Sequence, residues 1–156
     1  MKRIFALLIA SVLAACGGED GASIVVSDHV DQADVAMVEK AAGLLVERCS
    51  ALNKGWADVE EANAEIEGDY WAKNTGAAAS HGWGRTVLVT IKIKENPAAI
   101  PAGWRAGGHT LRFHLGGGQR PGVAVVKRPA RFLCGTADPD EDRNVIRVIK
   151  DFAFIK

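Results

Sequence analysis

After residue 15 the chain has no apolar run approaching the roughly 20 residues that a helix needs to cross a bilayer. It also lacks net charge, with 19 Lys and Arg against 19 Asp and Glu, a balance that argues against a general nucleic-acid binder. Cysteine is scarce: there are three, too few for more than one disulfide. No Gly-x-Ser-x-Gly elbow occurs. No pair of carboxylates sits among apolar neighbours, where desolvation would raise a pKa for acid catalysis. No internal repeat is present.

What is there begins at the amino terminus. Lys2 and Arg3 precede the apolar run Ile4 to Val12, and Leu13-Ala14-Ala15-Cys16 follows. Charge, a short apolar stretch and small residues, in that order, form a secretory leader. Its close resembles the lipobox of bacterial lipoproteins, whose modifying enzyme needs small residues just ahead of the cysteine. The resemblance covers the leader alone. It implies that residues 1–15 are removed and that Cys16 carries a diacylglycerol, with palmitate or another acyl chain on its amino group. Two or three chains make a durable membrane anchor where one holds only reversibly. Lipoproteins kept in the inner membrane often have Asp after the cysteine. Gly17 stands here, which points to the outer membrane, facing the periplasm.

Residues 16–23 read as a lipidated flexible tether, rich in glycine, and residues 24–156 as one domain. With Cys16 lipidated, Cys49 and Cys134 remain in an oxidising compartment, and a single disulfide between them is expected.

From Asp31 to Leu52 the spacing predicts a helix: Val38, Ala41, Ala42, Leu45, Cys49 and Leu52 recur at steps of three and four. A second helix is expected from about Trp56 to Glu67, with Trp56, Val59, Asn63 and Ile66 on one face. The period then falls to two. Thr86 to Lys94, His109 to Leu115 and Val123 to Lys127 read as strands, the first with Val87, Val89, Ile91 and Ile93 inward. Phe132 to Cys134 adds a short piece, and Val145 to Ile155 a last strand. The expected fold is α+β: two helices on one face of an antiparallel sheet of three to five strands.

Motifs for chemistry are thin. Asp138-Pro139-Asp140-Glu141-Asp142 opens like a calcium loop, but Arg143 and Ile149 stand where such a loop needs Gly and Glu. His109 and His114 fall on opposite faces of a strand and do not chelate together. Gly116-Gly117-Gly118 precedes no helix and reads as a hairpin connection, not a phosphate loop. No metal, cofactor or catalytic residue is expected.

The charges are sorted. Residues 19–69 hold thirteen acids and three bases, and residues 70–137 ten bases and one acid. Lys92, Lys94, Arg112, His114 and Lys127 would share the sheet face away from the helices, flanked by Trp83 and Trp104. Two readings follow. The strip attracts a protein or anionic envelope material, with tryptophan as a hot spot, or its bases neutralise the acidic helices while the tryptophans cap the core. The expected function is that of a non-enzymatic, lipid-anchored envelope protein that binds another macromolecule, as an inhibitor or immunity protein or an assembly factor. The other class is an envelope hydrolase whose site is scattered through the sequence.

Overall fold

The computed structural model describes residues 21–52, 56–68, 81–100, 110–125 and 147–156. Strand β1 (Ser23–Val26) leads into helix α1 (Gln32–Leu52), followed by β2 (Ala57–Glu67), β3 (Thr86–Glu95), β4 (Thr110–Gly116), β5 (Gly122–Val125), β6 (Arg147–Val148) and a 3-10 turn, Lys150–Phe152. The six strands form one sheet in sequence order. β1 runs parallel to β2, and each later pairing is antiparallel. Two parallel neighbours need a crossover connection, usually a helix, and α1 is that crossover.

The helix forms where the spacing predicts it. Ser27 turns the chain, accepting from the Val30 amide at 3.0 Å through its carbonyl and from the His29 amide through its hydroxyl at 3.3 Å. Asp34 lies in the first turn, where a negative charge meets the positive end of the helix dipole. Val38, Ala41, Ala42, Leu45 and Cys49 are all completely buried against the sheet. Opposite them stand Val59, Ala62 and Ala64 of β2, Val89, Ile91 and Ile93 of β3, and Leu111 and Phe113 of β4. The alanines facing each other across α1 and β2 let helix and sheet pack closely.

The second helix expected from Trp56 to Glu67 is instead the strand β2, an inner strand between β1 and β3. Its burial alternates: Ala57, Val59, Ala62 and Ala64 are buried, while Asp58, Glu60, Asn63 and Glu65 are exposed. The alternation slips once, where Glu60 and Glu61 oppose a single step of β3 in a β-bulge. A helix here would have put Asn63 in the core; the strand turns it to solvent.

Three further expectations change with it. Among the described residues one helix, not two, covers the sheet, and the sheet is mixed rather than antiparallel, with six strands rather than three to five. The strand expected from Val145 to Ile155 shrinks to Arg147–Val148, because the chain then turns through the 3-10 segment to bury Phe152 and Ile155. Ser23, placed in the tether, is the first residue of β1. The pieces expected at 132–134 and 138–142 lie outside the described residues.

Candidate functional site

The sheet face away from α1 carries the polar residues, and the strand register sets their neighbours. Rows across the strands read Ser23, Glu61, Lys92, Thr110; then Val25, Asn63, Thr90, Arg112; then Glu65, Leu88, His114, Ala124; then Glu67, Thr86, Gly116, Gly122. Because the acidic segment 57–67 is a strand of this sheet, its carboxylates interleave with the bases of β3 on one surface. Asp58 stands opposite Lys94, and Glu60 pairs with Lys92 at 3.2 Å between exposed side chains. The bases of β3 are therefore balanced by the strand beside them.

The two halves of this face differ. Around Lys92, Lys94 and Arg112 it is exposed. Toward Glu67 and Gly116 it is covered: Leu88, His114, Ala124 and Trp83 are at most 6% accessible. His114, expected on the outward face with the bases, is corrected to the interior, and Trp83, read either as a hot spot or as a cap on the core, is buried as a cap. His114 has the outward parity, but it sits in the covered half. Trp83 lies against Gly116, where a Cβ would collide with its ring, and its indole N–H donates to the Arg120 carbonyl at 3.0 Å. The tryptophan caps one end of the fold. Lys92 and Arg112 remain surface residues. Lys127 and Trp104 lie outside the described residues, as do Cys16 and Cys134.

Burying His114 requires a partner for its ring. Glu67 supplies it from two strands away, its Oε2 lying 2.5 Å from His114 Nδ1. The same oxygen accepts the Thr86 hydroxyl at 3.1 Å, and Thr86 is itself completely buried. A carboxylate acceptor places the proton on Nδ1. Here the carboxylate is central, and the hydroxyl donates its hydrogen bond to the carboxylate rather than to an imidazole. A Ser-His-Asp type triad has the opposite order, hydroxyl to imidazole to carboxylate. This trio is a structural polar tie under the covered half of the sheet.

At the same end Arg85, just ahead of β3, forks onto Asp34 through Nη1 and Nη2, both at 2.8 Å. The hydrogen bond from Arg85 holds the Asp34 carboxyl below its usual range; partial desolvation opposes the shift, and the charge of Arg85 adds to it. Arg85 Nε also donates to the main-chain oxygen of Lys156. Lys40 lies 4.3 Å from the centre of the Phe154 ring, a cation–π contact that pins the same segment to α1.

A hollow of about 500 Å³ opens beside β1, lined among others by Val25, Ser27, Asp28, Asn63, Glu65 and Thr90. Its carboxylates, Asp28 and Glu65, are exposed. Among the described residues no three of His, Cys, Asp and Glu converge as a metal site would require, and no helix is long and apolar enough to cross a membrane.

Sequence reasoning missed Asp34, Arg85, Glu67 and Thr86. For Glu67 the signal was present: once 57–67 is read as a strand, Glu67 shares the outer face with Thr86 and His114. Arg85 carried none. No family model matches this chain, and neither does any curated protein or solved structure.

Proposed function

We propose that this is a lipid-anchored protein of the bacterial cell envelope, held by acyl chains on Cys16, whose domain binds another macromolecule rather than carrying out a reaction. The observation that carries the reading is the leader: two charges, a short apolar run and Leu13-Ala14-Ala15-Cys16. Gly17 favours the outer membrane. The anchor confines the domain to a surface and raises its effective concentration near any neighbour there. The exposed half of the outer sheet face, with Lys92 and Arg112, is the surface offered to a protein or to anionic envelope material. Its interleaved charges suit a partner of patterned charge better than a uniformly anionic polymer.

A cystine between Cys49 and Cys134 belongs to the same reading. Cys49 is completely buried and its sulfur is not a free thiol. A staple over a loop this long would stabilise by roughly 4 to 5 kcal/mol on loop-entropy grounds. Non-reducing peptide mapping should return the two cysteine peptides linked; two alkylated thiols would refute the pairing.

The test of the anchor is Cys16→Ser in the full chain. Incorporation of radioactive palmitate should disappear, and the protein should leave the membrane fraction. Persistent labelling would overturn the assignment. Crosslinking in intact cells, comparing wild type with a Lys92→Glu, Arg112→Glu variant, should then show a partner lost with the charge reversal. An unchanged set of crosslinks would remove this surface from the proposal.

A further inference from the structure

We infer that the free edge of β1 takes up an extended segment of a protein partner as a further strand. That segment carries an apolar side chain beside Val25 and, two residues along, a Lys or Arg that enters the hollow with Asp28 and Glu65. The inference rests on the reading that this domain binds a macromolecule, and it names the partner's chemistry.

The edge follows from the register. The Ser27 amide donates to the Ala64 carbonyl at 2.9 Å, and Val25 pairs with Asn63. Successive residues of a strand turn their main-chain groups to opposite edges. Val25 and Ser27 therefore bond toward β2, and the N–H and C=O groups of Ile24 and Val26 point away from it. No strand lies beyond β1 among the described residues. Sheet edges are commonly blunted by a charge, a proline, a bulge or a covering segment. Ser23 to Val26 include no charge and no proline. They pair with β2 without a break in register, and Val25 is 46% exposed. An edge of this kind holds a peptide by main-chain bonds and leaves specificity to alternate side chains.

The hollow supplies that specificity. It lies on the outer face along this edge, where Val25, Asn63 and Thr90 form one row. Its acids are Asp28 and Glu65, and no base lines it. Elsewhere on the face acids have basic neighbours: Asp58 stands opposite Lys94, and Glu60 pairs with Lys92. Glu65 instead stands opposite Leu88. Neither it nor Asp28 pairs with a base among the described residues. A cation on the incoming strand matches this unpaired charge. Strands lie about 4.8 Å apart, so a Lys or Arg beside Ser27 reaches across β1 toward Glu65. Arg112 stands next to Thr90 in the same row, which makes the edge continuous with the basic part of the exposed half. A second copy of the chain fits the edge less well. Pairing β1 with itself gathers the acids of two hollows along one seam and brings no base to them.

The test uses the full lipidated protein in detergent micelles and a short fluorescent peptide with Lys, Val and Lys on one face and Thr on the other. A twin peptide has Glu in place of each Lys. The Lys peptide should bind about tenfold more tightly than its twin, and Asp28→Asn combined with Glu65→Gln should remove most of that preference. With the Lys peptide bound, amide exchange at Ile24 and Val26 should slow several-fold, while exchange at exposed Gln119 stays as it was. Binding of neither peptide, equal binding of both, or unchanged exchange at Ile24 and Val26 would overturn the inference. So would protection of those two amides that grows with the protein's own concentration, because the occupant is then a second copy. Failure here is separable from failure of the reading beneath it. A protein that takes up palmitate, floats with vesicles and loses its crosslinks on charge reversal at Lys92 and Arg112, yet leaves the β1 edge open, fails this inference alone.

Discussion

Arg85 grips Asp34 through two parallel hydrogen bonds of 2.8 Å, joining the residue ahead of β3 to the first turn of α1 across 51 positions of sequence. The same guanidinium reaches the main-chain oxygen of Lys156 through Nε. One side chain thus ties helix, sheet and C-terminal segment at one end of the molecule. A planar fork can make this set of bonds, and a point charge cannot.

Arg85→Lys should therefore lower the thermal midpoint although charge is conserved, and Asp34→Asn should lower it at neutral pH. The Asp34 carboxyl is held below its ordinary value of 3.8 in the folded state. A group lowered on folding contributes its stability above the unfolded value and loses it as pH falls through the folded one. The stability gap between wild type and Asp34→Asn should accordingly be steady near neutrality and close in acid, below 3.8. Denaturant titrations across that range check it. A gap that persists unchanged into strong acid would show that Asp34 does not act through its charge.

Glu67 Oε2 is the shared acceptor for His114 and Thr86. Removing it by Glu67→Ala leaves a buried imidazole N–H and a buried hydroxyl without their acceptor, at a cost of about 1–3 kcal/mol. Replacing the imidazole too, with His114→Leu, should restore part of that loss, because an apolar side chain needs no partner there. A double-mutant cycle by equilibrium denaturation measures this. If His114→Leu costs as much in the Glu67→Ala background as in wild type, the two residues do not act as a pair.

How much of this was legible in the residues depends on the period. The stripe on α1 was read from its steps of three and four, and the inward sets of β3 and β4 from strict alternation. β2 was misread because Ala and Glu favour helices, and because Glu60-Glu61 breaks an otherwise regular apolar–polar alternation. The break is a bulge, and on either side of it the period is two. Tertiary context then overrode propensity, since pairing on both edges and burial under α1 hold these residues extended. The covering of His114 was beyond reach for another reason. Parity assigns a face, but whether another part of the chain lies on that face is decided by long-range packing. The Arg85–Asp34 fork is likewise a contact between distant segments that leaves no local mark.

Gly116 shows the same dependence on distant packing. The triplet 116–118 reads as a flexible connection, yet at 116 the absence of a side chain makes room for the Trp83 ring, and Gly118 takes φ of 80°. Gly116→Ala should destabilise the domain by about 1–3 kcal/mol through overpacking. Gly84→Ala is the matched control, since a Cβ there meets nothing within 4 Å. The comparison is read from denaturation midpoints. Equal effects at the two sites would mean that Trp83 does not occupy the space above Gly116.

The bulge in β2 gives the sharpest test of the architecture. Deleting Glu60 leaves Ala57, Val59, Ala62 and Ala64 on the inner face, because the remaining residues then alternate without interruption. The expected loss is below about 1 kcal/mol, the worth of the exposed Glu60–Lys92 ion pair. Deleting Asn63 is a different matter. It shifts the parity of one part of the strand against the other and drives either Val59 and Ala62 or Ala64 and Ile66 out of the core. That variant should fail to fold, seen as loss of the cooperative transition and of near-ultraviolet circular dichroism. On a helix each deletion would rotate everything after it by the same angle, and the two variants would be harmed alike. Only a bulged strand separates them.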